Sequence, residues 1–102
     1  MIKLIFFVPI EDKEKVKKAV FNAGAGKIGN YDCCCFETIG TGQFRPLGEA
    51  NPTVGEVGKI EIIKEVKIEM VLDDKIKEKV EQSLVEAHPY ETPAYEFYSL
   101  LN

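Results

Sequence analysis

The sequence predicts an α+β fold of order βαββαβ, with four strands in one antiparallel sheet and both helices packed on one of its faces. Two observations carry that prediction. Strand-like segments at residues 2–8 and 60–72 are each followed at once by a stretch of helical spacing. Two further strand-like segments, 31–39 and 94–100, fall where the remaining strands of that order belong.

The first strand is a continuous apolar run fit for a central position, with Leu4, Phe6 and Val8 on one face and Ile5 and Phe7 on the other. Its single early charge at Lys3 and its short length suit neither a signal peptide nor a membrane span. The first helix has Asp12 as its expected N-cap, Val16, Ala19, Val20 and Ala23 on its inner face, and a Glu14 to Lys18 pair one turn apart. Gly24 supplies the stop. The second strand, over 31–39, alternates loosely and places Cys34 and Phe36 opposite Cys33 and Cys35.

The third strand alternates most clearly. Val66, Ile68, Met70 and Leu72 face one way and Glu65, Lys67 and Glu69 the other, the pattern of a sheet with one covered face. Lys64 breaks the phase set by Ile60 and Ile62, which predicts a bulge or an end-of-sheet extension near Ile63. The second helix starts at Asp73-Asp74, presents Ile76, Val80, Leu84 and Ala87, and ends at His88, because Pro89 restricts the residue before it to extended geometry. This is the split βαβ, or ferredoxin-like, arrangement. Ile5, Phe7, Ile63, Val71, Tyr95 and Phe97 are too many large apolar groups for one solvated face, whichever of them point outward. Self-association is therefore expected.

The chain has 102 residues, 45% of them apolar, which bounds it to one expected domain over 1–102. Its 13 basic and 17 acidic residues are interspersed and sum to −4, so no basic stripe marks a nucleic-acid surface. Three adjacent cysteines cannot make a disulfide framework from an extended segment, and a reducing, cytoplasmic compartment is the default.

Residues 40–58 read as a long connection holding five of the eight glycines and the only arginine, Arg45. It is either a ligand or partner loop, in which the Gly40 and Gly42 amides and Arg45 meet an anion, or a segment that packs on a neighbouring subunit through Phe44, Leu47 and Val54. Gly24-Ala25-Gly26-Lys27-Ile28-Gly29 matches a dinucleotide fingerprint in letters only. It follows a helix and precedes a strand, the reverse of what phosphate binding at a helix N-terminus needs, so a C-cap and tight turn are expected.

The corner His88-Pro89-Tyr90-Glu91 holds the sole histidine beside an acid. His88 and Glu91 are candidate ligands for a divalent metal ion, with Cys34 as a further soft ligand, or else His88 caps the helix and Glu91 ties down the turn. A thiolate at Cys34 with His88 as its base would instead make a small cysteine hydrolase.

Taken together, the segment Gly24 through Tyr31, Cys34 with Phe36, Gly40-Thr41-Gly42-Gln43-Phe44-Arg45-Pro46, Asn51-Pro52-Thr53-Val54-Gly55 and His88-Pro89-Tyr90-Glu91-Thr92-Pro93-Ala94-Tyr95 resemble the inserted domain of YqfO-like proteins of the NGG-interacting-factor family. The resemblance covers nearly the whole chain and implies a fold similar to CutA and the PII signalling proteins, hence a homotrimer. It implies no hydrolase activity for these residues, because the dinuclear metal site of that family belongs to the lobes that flank the insert, which are expected to be absent here. Three cysteines stand where one is typical, and Thr92 where a second acid often follows Glu91. The expected function is a free-standing, non-enzymatic CutA/PII-like binding or regulatory module. Its small ligand would meet Arg45, Gly40, Gly42 and Tyr90, and a protein partner could read the 40–58 loop. The alternatives are a metal-binding or metal-tolerance protein and the Cys34 hydrolase.

Overall fold

In the computed structural model, which describes residues 1–102, the strands are β1 (Ile2–Pro9), β2 (Phe36–Phe44), β3 (Glu61–Leu72) and β4 (Tyr95–Ser99). The helices are α1 (Lys13–Asn22) and α2 (Lys77–Ala87), each entered through one 3₁₀ turn. All neighbours pair antiparallel in the order β2-β3-β1-β4, the α+β ferredoxin-like arrangement.

Leu4, Phe6 and Val8 of β1 and Val66, Ile68, Met70 and Leu72 of β3 share one face and are buried against Val16 and Val20 of α1 and Val80 and Leu84 of α2. These are the apolar positions that the two periodicities select. Register settles the faces that phase left open: Tyr95 stands opposite Phe6 and Phe97 opposite Leu4, so both aromatic side chains lie on the helix face. The Tyr95 hydroxyl donates to Glu81 Oε2 of α2 at 2.7 Å, and the Lys77 ammonium sits 4.7 Å above the Phe97 ring. The face without helices carries Ile5, Phe7, Val71 and Ile63 together with Phe36 and Phe44.

Helix α1 is tied to the edge strand by charge. Lys13 and Lys17 both donate to the Glu37 carboxylate, at 2.8 and 2.7 Å, and those two lysines hold its pKa below the usual carboxylate value. Asp12 makes no side-chain cap, because Ile10–Asp12 already turn as a 3₁₀ helix that feeds α1 directly. Asp73 does cap, accepting from the Lys75 amide at 2.8 Å. At the other end of α1, Gly24 at φ +110° lets the Ala25 and Gly24 amides reach the Val20 and Phe21 carbonyls, a Schellman ending.

Near Ile63 the end-of-sheet extension holds and not the bulge: pairing with β2 runs unbroken from Phe36↔Glu69 to Phe44↔Glu61, while pairing with β1 stops at Pro9↔Glu65. Ile62 and Lys64 share the Val66 face and are exposed because β3 outlasts the helix layer. Two other expectations are corrected. The glycines at 40 and 42 lie in β2, which extends to Phe44, so the irregular loop is 45–60. Strand β2 also begins later than expected. Residues 31–35 are not strand, because the Cys34 amide bonds the Gly26 carbonyl, the Gly26 amide bonds Val71, and Cys33 adopts φ +54°.

Candidate functional site

Helix α2 stops because Pro89 holds His88 extended, at φ −70° and ψ 136°. The ring turns inward, to 6% exposure, with Nε2 2.7 Å from the Phe7 carbonyl of β1. The Tyr90 amide donates to Nδ1 at 3.1 Å. One nitrogen accepts and the other faces an acceptor, so the ring is neutral with its proton on Nε2. Burial lowers its pKa below the ordinary 6.5, outweighing the opposing pull of the Phe7 carbonyl, Glu65 and Asp12.

Tyr90 follows as the hub of the corner. Its ring centroid lies 5.1 Å from that of His88 and 5.8 Å from that of Phe44, and its hydroxyl donates to Glu65 Oε2 at 2.9 Å. Burial first, and the Glu65 carboxylate second, raise its pKa well above the ordinary value. Gly42 makes room for this pair, since a Cβ there would run into the Glu65 carboxylate, whereas a Cβ at Gly40 would meet nothing.

The loop is fastened to the same corner. The Asn51 amide donates to Glu91 Oε1 at 3.0 Å, and the Thr53 hydroxyl donates to the Pro89 carbonyl at 2.7 Å. Between loop and corner lies an open cavity of about 560 Å³, mostly apolar, lined among others by Phe44, Arg45, Leu47, Glu65, Tyr90 and Glu91. Arg45 is exposed and belongs to none of the chain's ion pairs.

Of the residues singled out in the sequence, Arg45, Tyr90 and Glu91 are brought together around this cavity. His88 stands behind Tyr90 with both ring nitrogens engaged, which leaves no lone pair for an ion. Gly40 and Gly42 are strand residues, and Gly42 acts by admitting Glu65. Cys34 lies beside Lys3, Phe36 and Val71, its thiol 3.5 Å from the Asp32 carbonyl. Lys3 and Phe7 mark opposite ends of β1, so Cys34 and His88 are not a nucleophile and base pair. No three His, Cys, Asp or Glu side chains converge where a metal ion could sit. Sequence reasoning gave no site role to Glu65, nor to Asn51 and Thr53, which it noted only within a family motif. Glu65 reads as one more solvated position of an alternating strand, and only the fold brings it to Tyr90.

No family model matches the chain. A curated relative from Halalkalibacterium halodurans, named GTP cyclohydrolase 1 type 2 homolog, is 43% identical over all 102 residues of this chain and 27% of its own length. Its namesake in Bacillus subtilis is 44% identical over 94% of this chain and 26% of its own length. The Bacillus cereus protein related to NIF3 superposes with a TM-score of 0.85 at 42% identity, over 99% of this chain and 26% of that one. The chain is a homologue of this NIF3-related segment. CutA1 from Pyrococcus horikoshii, 22% identical with a TM-score of 0.72 over 100% of this chain and 85% of its own, shares the fold. The chain thus spans 26–27% of the length of the curated relatives it matches. None of its helices is long and apolar enough to cross a membrane.

Proposed function

We propose that this chain is a single non-enzymatic binding or regulatory domain that assembles as a homotrimer and takes a small anionic ligand in the cavity between the 45–60 loop and the His88 corner. The observation that carries the reading is the lining of that cavity. An exposed, unpaired Arg45 guanidinium stands beside an apolar wall; of the three lining carboxylates, Glu65 and Glu91 are already engaged by Tyr90 and Asn51, and Glu49 is exposed to solvent. That is a set for holding an anion with an apolar body, not for moving protons. Assembly is supported by the helix-free face, where Phe36 is 68% exposed beside Val71. Three free thiols suit a reducing cytoplasm. Mass determination under native conditions tests both parts at once. Three subunits with a retained small molecule, lost in Arg45→Ala, are expected. A bare monomer at micromolar concentration would end the proposal.

A further inference from the structure

We propose that His88 is a pH latch on this cavity: protonation of Nδ1 releases Tyr90, and with it the corner to which the 45–60 loop is fastened. The inference rests on the reading of the cavity as the ligand site and concerns its regulation. The geometry is specific about where the break falls. Neutral His88 gives its Nδ1 lone pair to the Tyr90 amide and its Nε2 proton to the Phe7 carbonyl. A proton on Nδ1 sets two donors face to face at Tyr90 and leaves the bond to Phe7 intact.

Four further links hang on that joint. Tyr90 itself packs on Phe44 and bonds Glu65, Pro89 accepts from Thr53, and Glu91 accepts from Asn51. The ionisable groups facing the ring are Glu65 from β3, Asp12 from the turn before α1, and Tyr90 from the corner. Both carboxylates favour the charged ring, and burial opposes it more strongly. Charging His88 therefore favours a form in which the ring reaches water. Ligand held by the closed corner would conversely disfavour the proton.

His88 is the only histidine, so its titration is read without overlap. The ligand-free assembled chain is followed by NMR from about pH 7.5 to about pH 5.5, through the imidazole nitrogens and the amides of Tyr90 and Asn51. At about one unit below its ordinary pKa, an opened ring binds its proton some ten times more often than not, so the closed-to-open ratio falls by up to about tenfold. The expected result is the Nε2–H form at the higher pH, titration below 6.5, and a shift of the Asn51 amide with the same midpoint. Tyr90 amide protection should fall together with them, while the His88 amide, bonded to Leu84 within the helix end, keeps its protection. His88→Gln should abolish the transition and Glu65→Gln should keep it. A ring that titrates at or above 6.5 overturns the latch. So does one that titrates while the Tyr90 and Asn51 amides stay still, or a transition that survives in His88→Gln or disappears in Glu65→Gln. If His88→Gln does not fold, the wild-type ring and amide signals decide by themselves. None of these readouts involves ligand, so the latch can fail while the native-mass test of the cavity stands, and the reverse.

Discussion

Two glycines one turn of the pleat apart in β2 make opposite predictions. Replacing Gly40 by Ala puts a methyl group into open space, and removing a glycine from a strand interior should stabilise the chain by about 0.5–1 kcal/mol. Gly42→Ala gains the same backbone term but drives the Glu65 carboxylate off its seat and away from the Tyr90 hydroxyl, 2.9 Å distant. A hydrogen bond to a charged group contributes about 1.5–3 kcal/mol when well buried, and the half-buried setting here reduces that to about 1–1.5. The net for Gly42→Ala is thus between about zero and −1 kcal/mol, and the two variants should differ by about 1–1.5 kcal/mol, roughly tenfold in the folding equilibrium. Urea denaturation measures the difference. Spectroscopic titration of the tyrosines adds an independent signature, since Tyr90 should ionise at lower pH in Gly42→Ala than in Gly40→Ala. Two variants of equal stability with the same tyrosine titration would refute the account of why residue 42 is glycine.

Three shorter predictions follow from other contacts. Glu37→Gln should weaken the α1 to β2 tie at neutral pH; because lysines depress the Glu37 pKa, the wild-type advantage is present above the ordinary value of 4.5 and fades as pH falls through the depressed one, a crossover that urea midpoints against pH will read. Phe6→Ala removes a fully buried ring from the central strand and should cost about 3–5 kcal/mol, seen as a lower Tm. Arg45→Ala touches no ion pair and should leave the folding free energy within about 0.5 kcal/mol of wild type while lowering retention of the small molecule seen by native mass.

The fold was legible because each element announces itself locally. Val66 to Leu72 alternates, Val80 and Leu84 keep helical spacing, Gly24 ends one helix and Pro89 the other, and the strand order follows from the element order. What was not legible depends on pairing. The glycines at 40 and 42 carry loop composition, yet the backbone across from them, Glu65 and Ile63, holds them in a strand. Tyr95 and Phe97 have no face until the register with β1 is known. Cys33 occupies the left-handed region without the glycine that usually signals it. In the candidate site, Arg45, Tyr90 and Glu91 stood out as rare or crowded residues, whereas Glu65 looked like any charge on a wet strand. The inward turn of His88 needed Phe7, 81 positions away, to be explained.

The overhang of β3 beyond the helices has a consequence for how the molecule opens. Its outer part, residues 61–64 paired with 41–44 of β2 and with Ile62 61% exposed, is a two-stranded ribbon with no helix beneath it, at the end of a body 46 Å long and 24 Å wide. Such a ribbon has little apolar burial to hold it closed, so it belongs to the low end of the ladder of local openings, while Leu4 to Val8 belong to the high end. The wall that carries Phe44 and Arg45 is therefore built on the part of the sheet that breathes most freely. Whatever binds there pulls a fraying ribbon into a fixed shape, and the signature of binding will be slower amide exchange along the whole overhang, well beyond the residues it touches.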